Sequence, residues 1–301
     1  MKLGYFGSIV NDGTIDEIVE QVRWAASAGY STYWAPQIFG HDALTALAVA
    51  GREVAGIELG TSVVPTFPRH PFVLAQQAAT VNHVTGGRLC LGIGLSHQMV
   101  IERMYGLSFD KPVRHMREYL TVLTSSMTDK RVSFDGDVYR VHAAIEGTHR
   151  QPLSVLVAAL GTQMLGLAGE LADGTITWMT GPATLRDHIV PTITASTERA
   201  GRAAPRVVAA LPVCVTDDPA GARERAGKVF TIYGQLPSYR AMLDREGAAG
   251  PADVAIVGGE QEVADRIGAL ADAGVTDFAA VEFSTAGDDA ARTRTLLETL
   301  L

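Results

Sequence analysis

Two sequence patterns alternate along the whole of this chain, and the alternation constrains the fold more than any other feature. Short runs of β-branched and aromatic residues, such as KLGYFG and GTITW, are separated by segments whose apolar residues recur at helical spacing. The runs predict strands at about 2–7, 31–35, 57–64, 88–94, 153–158, 174–178, 206–213 and 277–283. Eight strands that are each followed by a helix are typical of the α/β class and of the (β/α)8, or TIM, barrel. An open doubly wound sheet is the alternative, because periodicity fixes the number of strands better than their closure.

Signals at the ends of the predicted helices support this alternation. Thr14 can cap a helix over 14–28, and Glu17, three residues later, completes the pattern of a capping box. Gly29 and Gly274 each follow a predicted helix and suit a helix end in the left-handed region.

Two segments are too long for plain connections between a strand and a helix. Residues 129–150 contain Asp135–Gly136 between alternating runs, which predicts a β-hairpin. Residues 233–257 are predicted to form an inserted helix and loop. Active sites of (β/α)8 barrels lie at the carboxyl ends of the strands. Both insertions are therefore candidate lids on that face of a single domain spanning 1–301.

Composition excludes several classes of function. The chain carries 25 Lys and Arg against 33 Asp and Glu, a formal net charge of −8, and no segment concentrates basic residues as a nucleic-acid-binding surface does. The first apolar stretch is too short for a secretory signal, and the longest charge-free run, 151–169, is broken by Pro, polar residues and Gly. The histidines lack the spacing of metal ligands. We therefore expect a cytoplasmic protein that acts on a small molecule, without a metal, a membrane or a nucleic acid.

Function in a barrel is expected from the residues just after each strand. Three such loops are distinctive: GTSVVPTFPRHP at 60–71, GIGLSHQ at 92–98, and the turn that contains Gly161 and Thr162. At this turn, free backbone N–H groups and a hydroxyl meet where a strand gives way to a helix, which suits a phosphate group. A plainer explanation is also available, because tight turns use glycine without any ligand.

The ordered segments GTSVVP, RHPFVLAQQAATVNHVTGGRLCLGIG and AALGTQMLGLAGELADGTITW resemble the bacterial luciferase-like superfamily. Within that superfamily, the chain is similar to the oxidoreductases that use the deazaflavin coenzyme F420. The resemblance extends over nearly the whole chain, in matching order and spacing. It implies the same (β/α)8 fold and a hydride transfer between F420 and a small organic substrate.

The resemblance also implies roles for particular residues. The positions that match cofactor-binding positions of the family are Gln37, Ser62, Val63, Gly94, Leu95, Ser96, His97, Gly161 and Thr162. Ser62–Val63 match a non-prolyl cis peptide in a bulge that backs the deazaflavin ring. Gly161 and Thr162 match the turn on the side of the cofactor phosphate.

The chain departs from the sugar-phosphate dehydrogenases of this family after the second strand. Gln37 stands where they carry an aspartate beside the deazaflavin, and Ile38 stands where they carry a catalytic histidine. The lysines that hold the substrate phosphate in those enzymes have no counterpart in WMTGP at 178–182. A phosphorylated sugar is therefore not the expected substrate.

A hydride transfer to a polarised double bond leaves a charge that a proton must neutralise, and a side chain that titrates near neutral pH is the usual donor. His41, His70 and His97 all follow predicted strands. His97 is the first candidate for the catalytic role because its loop matches the cofactor-lining segment, and it is equally suited to cofactor binding. His70 is the second candidate and His41 the third.

A flat redox cofactor also needs an apolar floor and walls. Phe6, Val63, Leu95, Trp178 and Met179 stand at strand ends where they could supply them. Each of these residues is equally well explained by packing in the core.

Two further functions remain open. One is an FMN-dependent two-component monooxygenase of the same fold, and the other is a non-catalytic cofactor-binding relative. The acidic lactyl-oligoglutamate tail of F420 favours a local basic groove, for which Arg69, Lys111, Arg114 and Arg117 are candidates. A homodimer is expected, because it is common in the resembled family and apolar barrel helices permit it.

Overall fold

The structure, a computed structural model, describes residues 1–129, 131–146, 151–283 and 287–301. Its twelve strands within these residues are β1 (Lys2–Phe6), β2 (Thr32–Ala35), β3 (Glu58–Thr61), β4 (Val64–Pro65), β5 (Leu89–Gly94), β6 (Val132–Asp135), β7 (Arg140–Ala143), β8 (Ser154–Val157), β9 (Gly174–Trp178), β10 (Arg206–Val215), β11 (Ile256–Gly258) and β12 (Asp277–Glu282).

Eight of these strands close into a barrel. Parallel pairing runs in the order β1, β2, β3, β5, β8, β9, β10 and β12, and β12 pairs again with β1. Each of these eight strands overlaps one of the predicted runs, so the (β/α)8 prediction is confirmed and the open sheet is wrong. The run at 57–64 is broken by a bulge into β3 and β4. The short strand β11 pairs with the end of β10 and was not predicted.

Helices between the strands cover the outside of the barrel. They are α1 (Ile15–Ala28), α2 (Ala43–Glu53), α3 (Pro71–Val84), α4 (Pro112–Thr128), α5 (Thr162–Leu171), α6 (Pro182–Thr184), α7 (Val190–Arg199), α8 (Pro219–Val229), α9 (Pro237–Glu246), α10 (Pro251–Val254), α11 (Glu260–Asp272) and α12 (Asp289–Thr299). Two π-helical segments, Val100–Met104 and Leu185–Ile189, and two 3-10 helices, Ser8–Asn11 and Thr231–Gly234, complete the elements.

The predicted helix ends are confirmed where they were most specific. Thr14 and Glu17 form a reciprocal capping box at the start of α1, which satisfies two backbone N–H groups that the helix itself leaves unpaired. Gly29 has a φ of 101° and Gly274 a φ of 89°, a region where a side chain is strained.

The amino-terminal end of the barrel is closed by a network of charged side chains at the first positions of three strands. The Arg206 guanidinium donates to Glu58 at 2.6 and 3.0 Å and to Asp277 at 2.7 and 3.1 Å. Thr32 donates to the Glu58 carboxylate at 2.8 Å, and the guanidinium lies 5.5 Å from the ring centre of Trp34. Because the charges are paired and hydrogen-bonded, they can be buried at this end without a ligand.

The hairpin predicted within 129–150 is confirmed as β6 and β7, although Lys130 and residues 147–150 lie outside the described residues. Its apolar residues pack on Val122 of α4. The Glu118 carboxylate accepts three backbone N–H groups at the hairpin tip, from Asp137, Val138 and Tyr139, at 2.8–3.0 Å. The hairpin therefore lies along the outside of α4, and its tip reaches His70, whose ring meets the Tyr139 ring edge to face at 5.4 Å.

The second insertion differs from its predicted bounds of 233–257. It begins with the 3-10 helix at Thr231, contains α9 and α10, and ends before residue 256, where β11 begins. Glu246 at the end of α9 accepts backbone N–H groups of Ala183 at 3.1 Å and Thr184 at 2.7 Å. The insertion is thereby attached to the chain that follows β9, on the carboxyl-terminal face.

Candidate functional site

The residues predicted to bind a cofactor follow four strands that are neighbours in the barrel. Gln37 follows β2, Ser62 and Val63 follow β3, His97 lies after β5, and Gly161 follows β8. Because β2, β3, β5 and β8 pair in that order, these loops form one continuous arc of the carboxyl-terminal face.

The bulge after β3 forms a ledge on the inside of this arc. The Ser62–Val63 peptide bond is cis, as predicted. A Cβ on Gly94 would lie 2.7 Å from Val63 Cγ2, and a Cβ on Gly92 would lie 2.0 Å from the Thr61 carbonyl oxygen. Glycine is needed at both positions so that the bulge can approach β5 closely.

The loop after β5 bends sharply as it leaves the barrel. Ser96 has a φ of 62°, which is uncommon for a residue with a side chain. The His97 carbonyl accepts the N–H groups of Val100 and Ile101, both at 2.9 Å, which fixes the start of the π-helical segment. Burial lowers the pKa of His97 below its ordinary value, so the neutral ring predominates near pH 7.

The turn after β8 has open space where a ligand can approach the start of α5. Gly161 is the N-cap residue of α5, with no capping side chain and no acidic residue in the first turn. Its φ is −78°, and a Cβ placed there would have no heavy atom of the described residues within 4 Å. Neither backbone conformation nor crowding therefore requires glycine here. The first N–H groups of α5 are oriented as donors to an anion.

Other predicted residues serve local structure. Gln37 Oε1 accepts the Ala43 N–H at 2.7 Å, at the start of α2. His70 caps α3, where its Nδ1 accepts the Phe72 N–H at 3.3 Å, and the His41 Nε2 lies 2.7 Å from the Gly13 carbonyl oxygen. Within the described residues no hydrogen bond of comparable kind engages the His97 ring. His97 is therefore the strand-end histidine that these local contacts leave available.

The residues expected to form a basic groove are mostly paired with carboxylates. The ion pairs are Arg69 with Asp42, Arg114 with Asp137, and Arg117 with Glu170. Lys111 is exposed, with a φ of 48°. Three of the four residues expected to form a basic groove are therefore neutralised by neighbouring carboxylates.

Aromatic residues in the second insertion and directly before it complete a wall that the sequence did not predict. Trp178 stacks with Phe6 at 6.4 Å between ring centres and meets Phe230 and Tyr233 edge to face, both at 5.7 Å. Tyr233 contacts Tyr239 at 5.1 Å. The Trp178 Nε1 is buried and makes no hydrogen bond within the described residues.

This wall extends to the loop after β5, because the Tyr239 ring lies 5.8 Å from the ring of His97. Met179, which follows Trp178, is buried with a φ of 52°. Phe6 and Trp178 were predicted as possible walls of the site. The aromatic residues clustered in 230–239 are the sequence signal that could have predicted the insertion as part of the same wall.

Large apolar side chains are exposed around the same face. Phe39 is 61% exposed and Ile38 49% in the loop after β2, and Met104 is 61% exposed in the loop after β5. Grouped exposed apolar residues on one face are characteristic of a binding surface.

The described residues contain no group of three or more His, Cys, Asp and Glu side chains arranged to hold a metal ion. No helix within the same residues is both long and apolar enough to cross a bilayer.

A closed (β/α)8 barrel with an apolar ledge, a helix start open to anions and an aromatic wall on one face defines the class of barrel proteins whose ligand site is at the carboxyl ends of the strands. A sequence profile of the luciferase-like monooxygenases matches residues 1–277. The chain belongs to this family.

Relatives with assigned names are similar to the chain over most of its length. A 5,10-methylenetetrahydromethanopterin reductase of Methanolobus tindarius is 28% identical over 94% of this chain and 87% of its own length. A putative coenzyme F420-dependent oxidoreductase of Mycobacterium tuberculosis is 29% identical over 93% of this chain and 83% of its own. The solved structure of the coenzyme F420-dependent tetrahydromethanopterin reductase of Methanopyrus kandleri superposes with a TM-score of 0.79 at 21% identity, covering 99% of this chain and 96% of that one. This last likeness is one of fold.

Proposed function

We propose that the chain is an F420-dependent oxidoreductase that moves a hydride between the deazaflavin and a small organic substrate. The observation that carries the proposal is the arc of loops after β2, β3, β5 and β8, in a chain whose relatives include proteins named as F420-dependent. When bound, a deazaflavin exchanges a hydride with its substrate at one ring carbon.

The residues on the arc fit the two ends of such a cofactor. Val63 on its ledge offers an apolar surface to a flat ring, in a position where Gly92 and Gly94 leave room for the bulge. The open start of α5 at Gly161 and Thr162 offers N–H groups and a hydroxyl to a phosphate. His97, Leu95 and Ser96 lie between these two places along the arc.

The charges of the surrounding loops support an uncharged substrate. Three arginines of these elements are paired with carboxylates: Arg69 with Asp42, Arg294 with Glu282, and Arg240 with Asp244. The loop after β9, at 179–181, carries no lysine or arginine. A phosphorylated sugar would have little charge compensation there, whereas the aromatic wall suits an apolar molecule.

We assign to His97 the role of the group that accepts and donates the substrate proton. A neutral imidazole can accept the proton of a substrate hydroxyl when the substrate is oxidised and return it when the substrate is reduced. The expected pH dependence has opposite signs in the two directions. Oxidation becomes faster as pH rises through the lowered pKa of His97, and reduction becomes faster as pH falls through it.

The His97→Asn variant tests this role. It keeps hydrogen-bonding capacity but cannot titrate near pH 7, so we expect single-turnover rates to fall by about 100-fold or more and the pH inflection to disappear. Cofactor affinity, measured by titration, serves as the control. A variant with a normal rate and an unchanged pH profile would exclude His97 as the proton carrier.

Titration of the purified protein with F420, reduced F420 and FMN, followed by absorbance and fluorescence, tests the function itself. We expect F420 to bind more tightly than FMN. Thr162→Ala should weaken F420 binding by about 1 kcal/mol or more, through loss of a charge-assisted hydrogen bond. Tight binding of FMN without binding of F420 would instead support the two-component monooxygenase. Binding without turnover across alcohols and ketones would support a non-catalytic relative.

We also propose that the protein is a homodimer formed through α2 and α3. The 14 residues of α3 include no Asp, Glu, Lys or Arg, and Val73 on this helix is 57% exposed. Val49 of the neighbouring α2 is also exposed. By contrast α1 exposes Asp16, Glu20 and Arg23. An outward face without charged residues costs less free energy to bury in an interface than a charged one. Sedimentation equilibrium should therefore give twice the mass of one chain.

A further inference from the structure

The outer surface of the barrel contains a groove between α4, α5 and α7 whose volume is about 540 Å³. Its lining includes Val113, Arg117, Gln163, Gly166, Glu170 and Arg199. We propose that this groove binds the acidic oligoglutamate tail of F420, an inference that rests on the proposed function and extends it beyond the barrel mouth.

The groove begins where the proposed phosphate site ends. Gln163 directly follows Thr162, and Gln163, Gly166 and Glu170 share one face of α5 because they are spaced by three and four residues. At about 1.5 Å per residue, this face extends roughly 10 Å from the start of the helix. A chain attached to a phosphate at Gly161 and Thr162 can therefore continue along it.

Small residues give the groove its depth and a fixed shape. A Cβ on Gly166 would have no heavy atom within 4 Å among the described residues, so the floor is open at this point. A Cβ on Gly169 would lie 2.7 Å from Ser196 Cβ, so α5 and α7 pack too closely for any side chain there. Ser196 Oγ also donates to the Gly166 carbonyl at 2.7 Å, which joins the two helices beneath the groove.

The charged residues of the groove already hold one glutamate carboxylate. Arg117 donates to both oxygens of Glu170, at 2.7 and 2.8 Å, and holds the pKa of this carboxyl below its usual range. Arg199 is exposed on the opposite wall. The lining therefore has two arginines for one carboxylate, a local positive excess on a chain whose net charge is −8. The fork geometry that binds Glu170 is equally suited to the carboxylate of a bound glutamyl chain.

The test compares F420 carrying several glutamates with the form that lacks them, by fluorescence titration at low salt. We expect the tailed form to bind wild-type protein several-fold more tightly, and the difference to shrink at high salt. Arg199→Gln should weaken binding of the tailed form by about threefold to tenfold and leave the tail-free form unchanged. Arg186→Gln is the matched control, because Arg186 precedes α7 on the same helical stretch, is paired with Asp187 and does not line the groove.

Glu170→Gln gives a result of opposite sign. This substitution frees Arg117 and removes the one carboxylate of the lining. The tailed form should therefore bind the variant at least about threefold more tightly than it binds wild type, whereas the affinity of the tail-free form should not change. If Glu170 merely supported the fold, its replacement would weaken the binding of both forms.

Two results would overturn the proposal. One is equal affinity of wild-type protein for the two forms at low salt. The other is an equal change in the binding affinities of the tailed and tail-free forms in Glu170→Gln and Arg199→Gln. Failure of the proposed function is seen separately, because the tail-free form would then not bind. Direct binding of a free γ-linked glutamate peptide to the protein, monitored by NMR, would in that case still test the groove.

Discussion

The two ends of the barrel differ in whether their polar groups are paired with one another. At the amino-terminal end, Arg206, Glu58 and Asp277 satisfy one another, and little is left for a ligand to bind. At the carboxyl-terminal end, the start of α5 has no capping side chain, the Trp178 Nε1 is unpaired within the described residues, and Phe39 is exposed. Paired polar groups stabilise a fold, whereas unpaired ones beside apolar surface favour binding. The charged groups that hold the amino-terminal end together are therefore distinct from the groups that a ligand could bind, so the two sets can be perturbed separately.

The largest expected effect is at the amino-terminal end. Arg206→Met leaves Asp277 buried without its partner and should lower the free energy of unfolding by about 3–5 kcal/mol. Urea denaturation measures this loss. Arg186→Met removes an exposed arginine paired with Asp187 and should change stability by less than about 0.5 kcal/mol. Equal losses in the two variants would show that the network does not stabilise this end.

Low pH should destabilise the fold through a buried histidine on the carboxyl-terminal side of the barrel. His115 stacks on Phe67 at 3.9 Å, its Nε2 lies 2.9 Å from Thr66 Oγ1, and burial lowers its pKa from 6.5 to about 4. The unfolded chain therefore takes up this proton first. Stability conferred by the neutral ring is fully present above about pH 6.5 and is lost as pH falls toward 4.

We expect His115→Gln to reduce this acid sensitivity by about 1–3 kcal/mol between pH 7 and pH 4. Urea titrations at a series of pH values measure it, and replacement of the exposed His83 by Gln is the control. A pH slope in His115→Gln as steep as that of wild type would contradict the prediction.

A pair of glycines distinguishes structure from binding within the carboxyl-terminal face. Gly94→Ala should cost about 1–3 kcal/mol of stability, because its Cβ would meet Val63 Cγ2 at 2.7 Å. Gly161→Ala should cost less than about 0.5 kcal/mol, since its φ is −78° and its surroundings are open. It should nevertheless weaken F420 binding. Normal F420 affinity in Gly161→Ala would argue against a phosphate at this turn.

Much of the fold could be predicted because it is written in local periodicity. Each barrel strand is a short apolar run, and the capping box at Thr14 is a local pattern. The strand β11 was missed because three residues, the last of them a glycine, carry too little periodicity. The split between β3 and β4 was not visible in the residue pattern of 57–64, and the bulge at Ser62–Val63 was expected only through the resemblance.

The candidate site could be predicted only in part, and mainly through resemblance. Contacts such as Trp178 with Phe230 join residues far apart in the sequence, which no local pattern reports. The network at Arg206 could have been inferred from the sequence, because Glu58, Arg206 and Asp277 are charged residues at the first positions of otherwise apolar strands. The pairing of Arg69 with Asp42 left none, so arginines counted as free in the sequence are neutralised in the fold.

The two hydrogen bonds that Glu246 accepts from Ala183 and Thr184 make the rim of the barrel unequal in how readily it opens. On the β9 side, any parting of the insertion from the barrel must first break charge-assisted bonds at the start of a helix. On the opposite side, the loop after β2 carries Ile38 and Phe39 in water, where contact with an apolar molecule is favourable. The rim is therefore expected to part beside β2 rather than beside β9, where Glu246 holds the insertion to the barrel.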